Sequence, residues 1–300
     1  MKLEMRKKSF TEIKLLLFCI PACFVYVLFW VLPGLANIPI SFTDWSATKP
    51  LSSAQFVKLS NYKKLFGDEL FWNALGNNIV YGVFTVIIIT ILALFLALMV
   101  ERGIHRFKGV FRTIFFIPII LPWIVVALIW RWLYDPSFGV INALLTMIGL
   151  EQLVHNWLGD PKIALYSIVA VAVWKSVGFH MIIFIAGLQG IPKELEEAAH
   201  IDGAGSFGTL LWIIIPQLRA IIGIVSTLIL IDAFRVFEVI FIMTEGGPGY
   251  YSTDVLSTYI YRTAFQFLQQ SYASTLAIAL FFFVATLSLF SYRNSTGGND

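Results

Sequence analysis

The run IPKELEEAAHIDGAGSFG, residues 191–208, decides how the chain is organised, because it is a polar stretch between two long apolar ones. Pro192 suits the first turn of a helix, and the three glutamates that follow it complement the positive end of the helix dipole. Gly203 can end this helix in a left-handed cap. About 11 helical residues would extend roughly 16 Å, far too little to cross a bilayer. The run therefore predicts a short, stiff helix outside the membrane.

The composition on either side of this run is that of an integral membrane protein. Apolar residues make up 58% of the chain and charged residues only 13%, whereas about 25% of a soluble domain is charged. Such a chain cannot cover a water-exposed surface, which excludes soluble and disordered classes. The formal net charge of +3 gives nucleic-acid binding no support. Cys19 and Cys23 would lie too far apart on one helix for a disulfide and are interpreted as small hydrophobic residues.

Six stretches come close to the length of a spanning helix, which needs about 20 mostly apolar residues. We predict an all-α integral membrane protein with a single transmembrane domain, residues 1–300, and approximate spans at 15–32, 79–100, 113–130, 163–187, 220–243 and 273–290. Pro118 and Pro122 should bend the third span. The fourth span contains Lys175. An apolar stripe over residues 141–148 predicts a short additional helix at the outer interface.

The distribution of positive charge sets the predicted orientation. Six spans place both chain ends on one side, where the segments hold 12 Lys and Arg against 7 on the other side. Positive residues concentrate in cytoplasmic loops, so both termini are predicted to be cytoplasmic. The basic N-terminus also resembles a signal peptide with a cleavage site at residues 34–36, but the apolar run 15–32 exceeds the usual length of about 7–15 residues. We interpret it as a retained span.

The polar run carries a recognisable motif. Glu197, Ala198 and Ala199, followed by Gly203 and by the sequence IIIP that ends at Pro216, resemble the EAA motif of binding-protein-dependent ABC importer permeases. The motif usually has Leu where this chain has Ile215. Other stretches are similar to the sugar-type subfamily, namely SFTDW at 41–45, NY at 61–62, WKSVGF at 174–179, AGLQGIP at 186–192 and TEGGP at 244–248. The resemblance runs from about residue 12 to residue 290.

This resemblance implies a six-span, type I ABC importer permease fold with a cytoplasmic EAA coupling helix in the segment 190–216. It implies a bacterial inner-membrane, multi-pass subunit that forms the pathway for a sugar or oligosaccharide. Its implied partners are a second homologous permease, two ATPase subunits, an extracytoplasmic solute-binding protein and membrane lipid. ATP and Mg would be bound by the ATPases, so this chain would have no cofactor and no catalytic residues. The implied ATPase-coupling residues are Glu197, Ala198, Ala199, Asp202, Gly203 and Pro216.

Several alternatives are weighed against this interpretation. The same machinery could import a glycerol phosphate ester or a polyol, and a secondary transporter or a membrane enzyme would also need charges within the membrane. The sequence has no GxxxxGK[ST], HExxH or GxSxG motif, and its four histidines are scattered, which predicts no metal site. GAGSFG at 203–208 fits the dinucleotide pattern GxGxxG but lacks the preceding strand that this pattern requires.

The fifth span contains three charged residues, Asp232, Arg235 and Glu238, spaced so that Arg235 could reach either carboxylate along one helix. Charges inside a membrane are costly unless they are paired or face a water-filled cavity. Two interpretations stay open. The three residues form an ion-pair ladder that fixes the helix, or they line the substrate pathway together with Ser176 and Gly178 of the fourth span.

Overall fold

The structure is a computed structural model that describes residues 19–103 and 106–296, with side chains up to residue 289. The described chain is almost entirely helical, with one isolated bridge between Thr43 and Phe56. Its helices are α1 Cys19–Ser41, α2 Ser60–Phe66, α3 Glu69–Gly103, α4 Lys108–Ile120, α5 Trp123–Leu133, α6 Val140–Met147, α7 Ala164–Gln189, α8 Lys193–Ile201, α9 Ser206–Gln217, α10 Arg219–Phe234, α11 Glu238–Thr244, α12 Leu256–Tyr261 and α13 Gln270–Thr296. The all-α prediction is confirmed.

Four of these helices, α1, α3, α7 and α13, are long and apolar enough to cross a membrane by themselves. Two further pairs qualify as bent spans, because α4 and α5 meet at 97° and α9 and α10 meet at 69°. If each bent pair is one span, the described residues contain the predicted six. Helix α1 continues to Ser41, nine residues beyond its predicted end. Residues 15–18 of that span, and the basic residues before it, lie outside the described residues.

The bend predicted in the third span is present at Pro122. Leu121 is extended, with φ −68° and ψ 134°, because a residue that precedes proline is disfavoured in the helical region. Pro118, in contrast, remains inside α4. The helix predicted at 141–148 is also present, as α6, and Gly149 follows it with φ +78°.

The predicted continuous helix across 220–243 is wrong, because the backbone leaves the helical conformation between Phe234 and Glu238. Side chains from other helices form hydrogen bonds with the backbone carbonyls at this break. Asn78 Nδ2 of α3 donates to the carbonyl oxygen of Ala233 at 3.2 Å, and the Ser257 hydroxyl donates to the carbonyl of Val236. Side chains that insert into the backbone hydrogen-bond ladder are a known cause of helix breaks.

The chain divides into two compact units. In the first, whose described residues are 19–67 and 260–279, the sequence motifs at the end of α1 are hydrogen-bonded to each other. Asn61 Nδ2 donates to the carbonyl oxygens of Ser41 and Thr43, both at 2.8 Å. The Thr43 and Ser271 hydroxyls are hydrogen-bonded at 2.7 Å. These polar contacts explain why SFTDW and NY occur together.

The second unit, whose described residues are 68–103, 106–259 and 280–296, has a core built around α7. Ile168, Val171, Met181 and Phe184 of this helix are completely buried. Gly178 lets α4 approach α7 backbone to backbone, because a Cβ at this position would lie 1.8 Å from the carbonyl oxygen of Phe115. Gly178 therefore serves the packing of α7 against α4.

Candidate functional site

The short polar helix α8 forms as its sequence predicts, although its 9 residues are fewer than the predicted 11. Pro192 precedes it in an extended conformation. Gly203 ends it with φ +85°, donating from its backbone N–H to the His200 carbonyl oxygen at 3.1 Å, while the Ala204 N–H donates to Ala199 at 2.9 Å. These two bonds define a Schellman cap, in which a left-handed residue satisfies the last carbonyls of a helix. The predicted left-handed cap is confirmed.

One face of α8 is buried and the other is open. Ala199 is 9% exposed and packs inward. Glu197, Ala198 and Asp202 are exposed, and Ile201 is 85% exposed. Pro216 is also exposed and lies near the end of α9, just before the bend into α10. The helix therefore presents two acidic side chains beside an apolar one, on a surface that nothing in the described chain covers.

A salt bridge that the sequence did not predict ties α8 to the end of α3. Arg102 Nη2 lies 2.5 Å from Glu196 Oε1. The neighbouring Glu101 receives Lys108 at 3.3 Å and Arg112 at 2.7 Å. Each of these residues is a charged side chain at a helix end, but their pairing depends on the tertiary fold, so sequence spacing carries no signal for it.

A cavity of ≈ 340 Å³ lies in the second unit and collects most of the predicted pathway residues. Its walls come from α3, the bend between α4 and α5, α7 and the broken helix. They are formed by Tyr81, Thr85, Ile89, Ile119, Trp123, Ala172, Ser176, His180, Ile229, Asp232, Ala233, Arg235, Val236, Glu238 and Val239. Ser176, Asp232, Arg235 and Glu238 are thus brought together. Gly178 does not line the cavity, because it faces the backbone of α4.

The ion-pair ladder, one of the two interpretations left open by the sequence, is not formed within the described residues. In the part of the chain that the structure describes, no salt bridge joins Arg235 to Asp232 or to Glu238. The spacing requires a continuous helix, and the break at 235–237 separates Glu238 from the turn that carries Asp232. All three side chains are exposed. Charged groups that are neither paired nor buried must face water or another polar surface when they lie within a membrane protein.

His180 is a cavity residue that the sequence reasoning missed. Its ring is 3% exposed, and Nδ1 lies 2.9 Å from the carbonyl oxygen of Ser176, one helical turn earlier. Nε2 is buried without a hydrogen-bond partner among residues 19–103 and 106–289. Its position four residues after Ser176 on one helix was the available signal. Within the same described residues, no three His, Cys, Asp or Glu side chains form a group that could hold a metal ion.

Apolar spans around a cavity with exposed charges, together with a short acidic helix outside the spans, define a membrane transport subunit. The chain belongs to the family of binding-protein-dependent transport system inner membrane components, whose model matches residues 89–294. The predicted membership of the binding-protein-dependent importer permeases is therefore confirmed. The protein is a multi-pass inner-membrane permease subunit of an ABC importer and is not itself the catalytic subunit.

Full-length relatives agree with this family. The chain is 37% identical over 285 residues to the probable ABC transporter permease protein YurN of Bacillus subtilis (strain 168), with 95% of this chain and 96% of that protein covered. It is 33% identical over 287 residues to the diacetylchitobiose uptake system permease protein NgcF of Streptomyces coelicolor, with 92% and 81% covered.

A solved structure shows the same fold. In the crystal structure of a bacterial ABC transporter involved in the import of the acidic polysaccharide alginate, one chain superposes with a TM-score of 0.84. The match covers 99% of this chain and 100% of that one at 24% sequence identity. The type I importer permease architecture expected from the motif is therefore the architecture of this chain.

Proposed function

We propose that this chain forms part of the translocation pathway of an ATP-driven importer for a sugar or oligosaccharide. The observation that carries the proposal is the cavity in which Ser176, Asp232, Arg235 and Glu238 meet. Unpaired carboxylate and guanidinium groups next to aromatic walls offer the acceptors, donors and apolar surface that a sugar requires. A relative named for diacetylchitobiose uptake supports a sugar over a glycerol phosphate ester or a polyol.

The partners belong to the proposal as well. A second homologous permease would complete the pathway, and an external binding protein would deliver the substrate. Two ATPase subunits would bind ATP and Mg, because the sequence of this chain has no phosphate-binding loop. A secondary transporter, driven by an ion gradient, would have no use for a stiff acidic helix on the cytoplasmic side.

Helix α8 is proposed as the coupling helix on the cytoplasmic side. Glu197, Ala198 and Asp202 are exposed, and the small side chain of Ala198 permits close approach of an ATPase. The Schellman cap at Gly203 fixes the direction in which the chain leaves α8, and the Arg102–Glu196 salt bridge ties α8 to the end of α3. Movement of the ATPases would then be passed to α3 as a rigid-body shift.

Substitutions at Arg235 test the pathway role. The importer would be assembled with its partner subunits in proteoliposomes, and ATP-dependent uptake would be measured with the cognate binding protein. Arg235→Lys keeps the charge but loses the planar donor fork, so we expect weakened uptake with normal assembly. Arg235→Ala should weaken uptake further. Unchanged uptake kinetics for Arg235→Ala in an assembled complex would show that the residue has no role in the pathway.

A further inference from the structure

The charged side chains of the cavity do not balance. With the His180 ring counted as neutral, Asp232 and Glu238 contribute two negative charges against one positive charge on Arg235, so the walls have a formal charge of −1. Lys175 does not compensate for it, although it precedes Ser176 on α7. Its ammonium donates to the carbonyl oxygen of Ile119, and Lys175 is not among the residues that line the cavity.

We infer that this cavity excludes anionic solutes and that its substrate is an uncharged sugar. The inference rests on the proposed pathway role and adds the chemical class of the substrate. A phosphate ester or a uronic acid would bring its negative charge next to two carboxylates, and like charges repel each other. The inference therefore separates this permease from importers of acidic sugars.

The uncharged hydroxyl groups of a sugar fit the same walls well. Each hydroxyl both donates and accepts hydrogen bonds, so it can donate to Asp232 or Glu238 and accept from Arg235. None of these three side chains is committed to a salt bridge or a side-chain hydrogen bond within the described residues, so all of them remain available. The rings of Tyr81 and Trp123 add apolar surface to the walls.

The charge of the cavity can be measured directly with a single cysteine. The chain has only two cysteines, Cys19 and Cys23, so Cys19→Ser and Cys23→Ser give a background without thiols. Ser176→Cys then places one thiol in the cavity wall. In the assembled importer during ATP turnover, its labelling rate is compared for a cationic reagent, trimethylammonioethyl methanethiosulfonate, and an anionic one, sulfonatoethyl methanethiosulfonate. Both rates are normalised to the reaction with free cysteine.

We expect the cationic reagent to react at least about threefold faster than the anionic one, because a net negative wall concentrates cations. Glu238→Gln should lower this ratio towards one, and Arg235→Gln, which removes the positive charge, should raise it. An anionic reagent that reacts as fast or faster would overturn the inference while leaving the pathway in place. A thiol that reacts with neither reagent would instead overturn the pathway role, and the inference with it.

Discussion

The ammonium group of Lys175 donates a hydrogen bond to the carbonyl oxygen of Ile119, with Nζ and O 3.0 Å apart. Nζ also lies 4.8 Å from the centre of the Trp123 ring. Ile119 is in the last turn of α4, where carbonyl groups have no partner within the helix and a positive charge is favourable. The buried charge of Lys175 in α7 thus holds together the two halves of the bent span. It contacts α4 through Ile119 and α5 through Trp123.

Lys175→Met tests this role by replacing the ammonium with an apolar group of similar length. The buried carbonyl of Ile119 would lose its partner, which typically costs about 1–3 kcal/mol. We expect a lower melting temperature for the purified protein in detergent, followed by tryptophan fluorescence. Lys162→Met is the matched control, because Lys162 is exposed. Equal melting temperatures for the two variants would contradict a capping role for Lys175.

Gly178→Ala should also be destabilising, for a steric reason. The added Cβ would lie 1.8 Å from the carbonyl oxygen of Phe115, which is backbone and cannot move without shifting α4. Overpacking of this kind costs typically about 1–3 kcal/mol. Gly76→Ala is the control, because nothing lies within 4 Å of its added Cβ and alanine favours a helix by about 0.5–1 kcal/mol. The melting temperature should fall for Gly178→Ala alone.

Local chemistry made much of the fold predictable from sequence. Proline and glycine act on their own backbone, so Pro122 marked the bend of the third span and Gly203 marked the end of α8. The lengths of the apolar runs likewise indicated where the spans lie, but the helices begin and end at other residues than the runs do. The charged residues of the cavity could also be selected, since ionisable groups are rare in such runs.

Features that depend on contacts distant in sequence could not be found in this way. The break at 235–237 requires Asn78 and Ser257, which come from other helices. Gly178 was interpreted as a pathway residue together with Ser176, on the resemblance of this span to similar permeases. Helical geometry points these two residues in different directions, and only the packing of α4 shows which of them faces the cavity.

Topology can be tested by labelling two exposed serines. In the cysteine-free background, Ser60→Cys should react with an impermeant reagent added outside the cell, and Ser206→Cys should react only after the membrane is permeabilised. Both serines are exposed, so a thiol at either position can be reached from the solvent on its own side. The expectation follows from the excess of Lys and Arg in the segments assigned to the cytoplasm. Equal labelling of both positions from outside would refute the proposed orientation.

The Arg102–Glu196 salt bridge should matter more for coupling than for stability. Its side chains are 31% and 24% exposed, and partly exposed pairs are worth only about 0.2–1 kcal/mol. We expect Arg102→Glu or Glu196→Arg alone to reduce the amount of substrate transported per ATP hydrolysed, with little change in melting temperature. The double charge swap should restore the amount of substrate transported per ATP hydrolysed. Glu194→Arg serves as the control at an exposed position of α8, and a swap that restores nothing would rule out the pairing.

The cap of α8 offers the sharpest test of its proposed coupling role. Gly203 has φ +85°, and nothing lies within 4 Å of an added Cβ, so any cost of substitution comes from backbone conformation and not from a clash. A β-branched residue is a strong outlier there, whereas Asn adopts the left-handed region readily. Gly203→Val should therefore insert into the membrane normally but lose transport and stimulated ATP hydrolysis, while Gly203→Asn should keep most of both.

Gly205→Val is the control, because Gly205 is equally open but has φ −73°. Full transport by Gly203→Val would show that the direction in which the chain leaves α8 is not used for coupling.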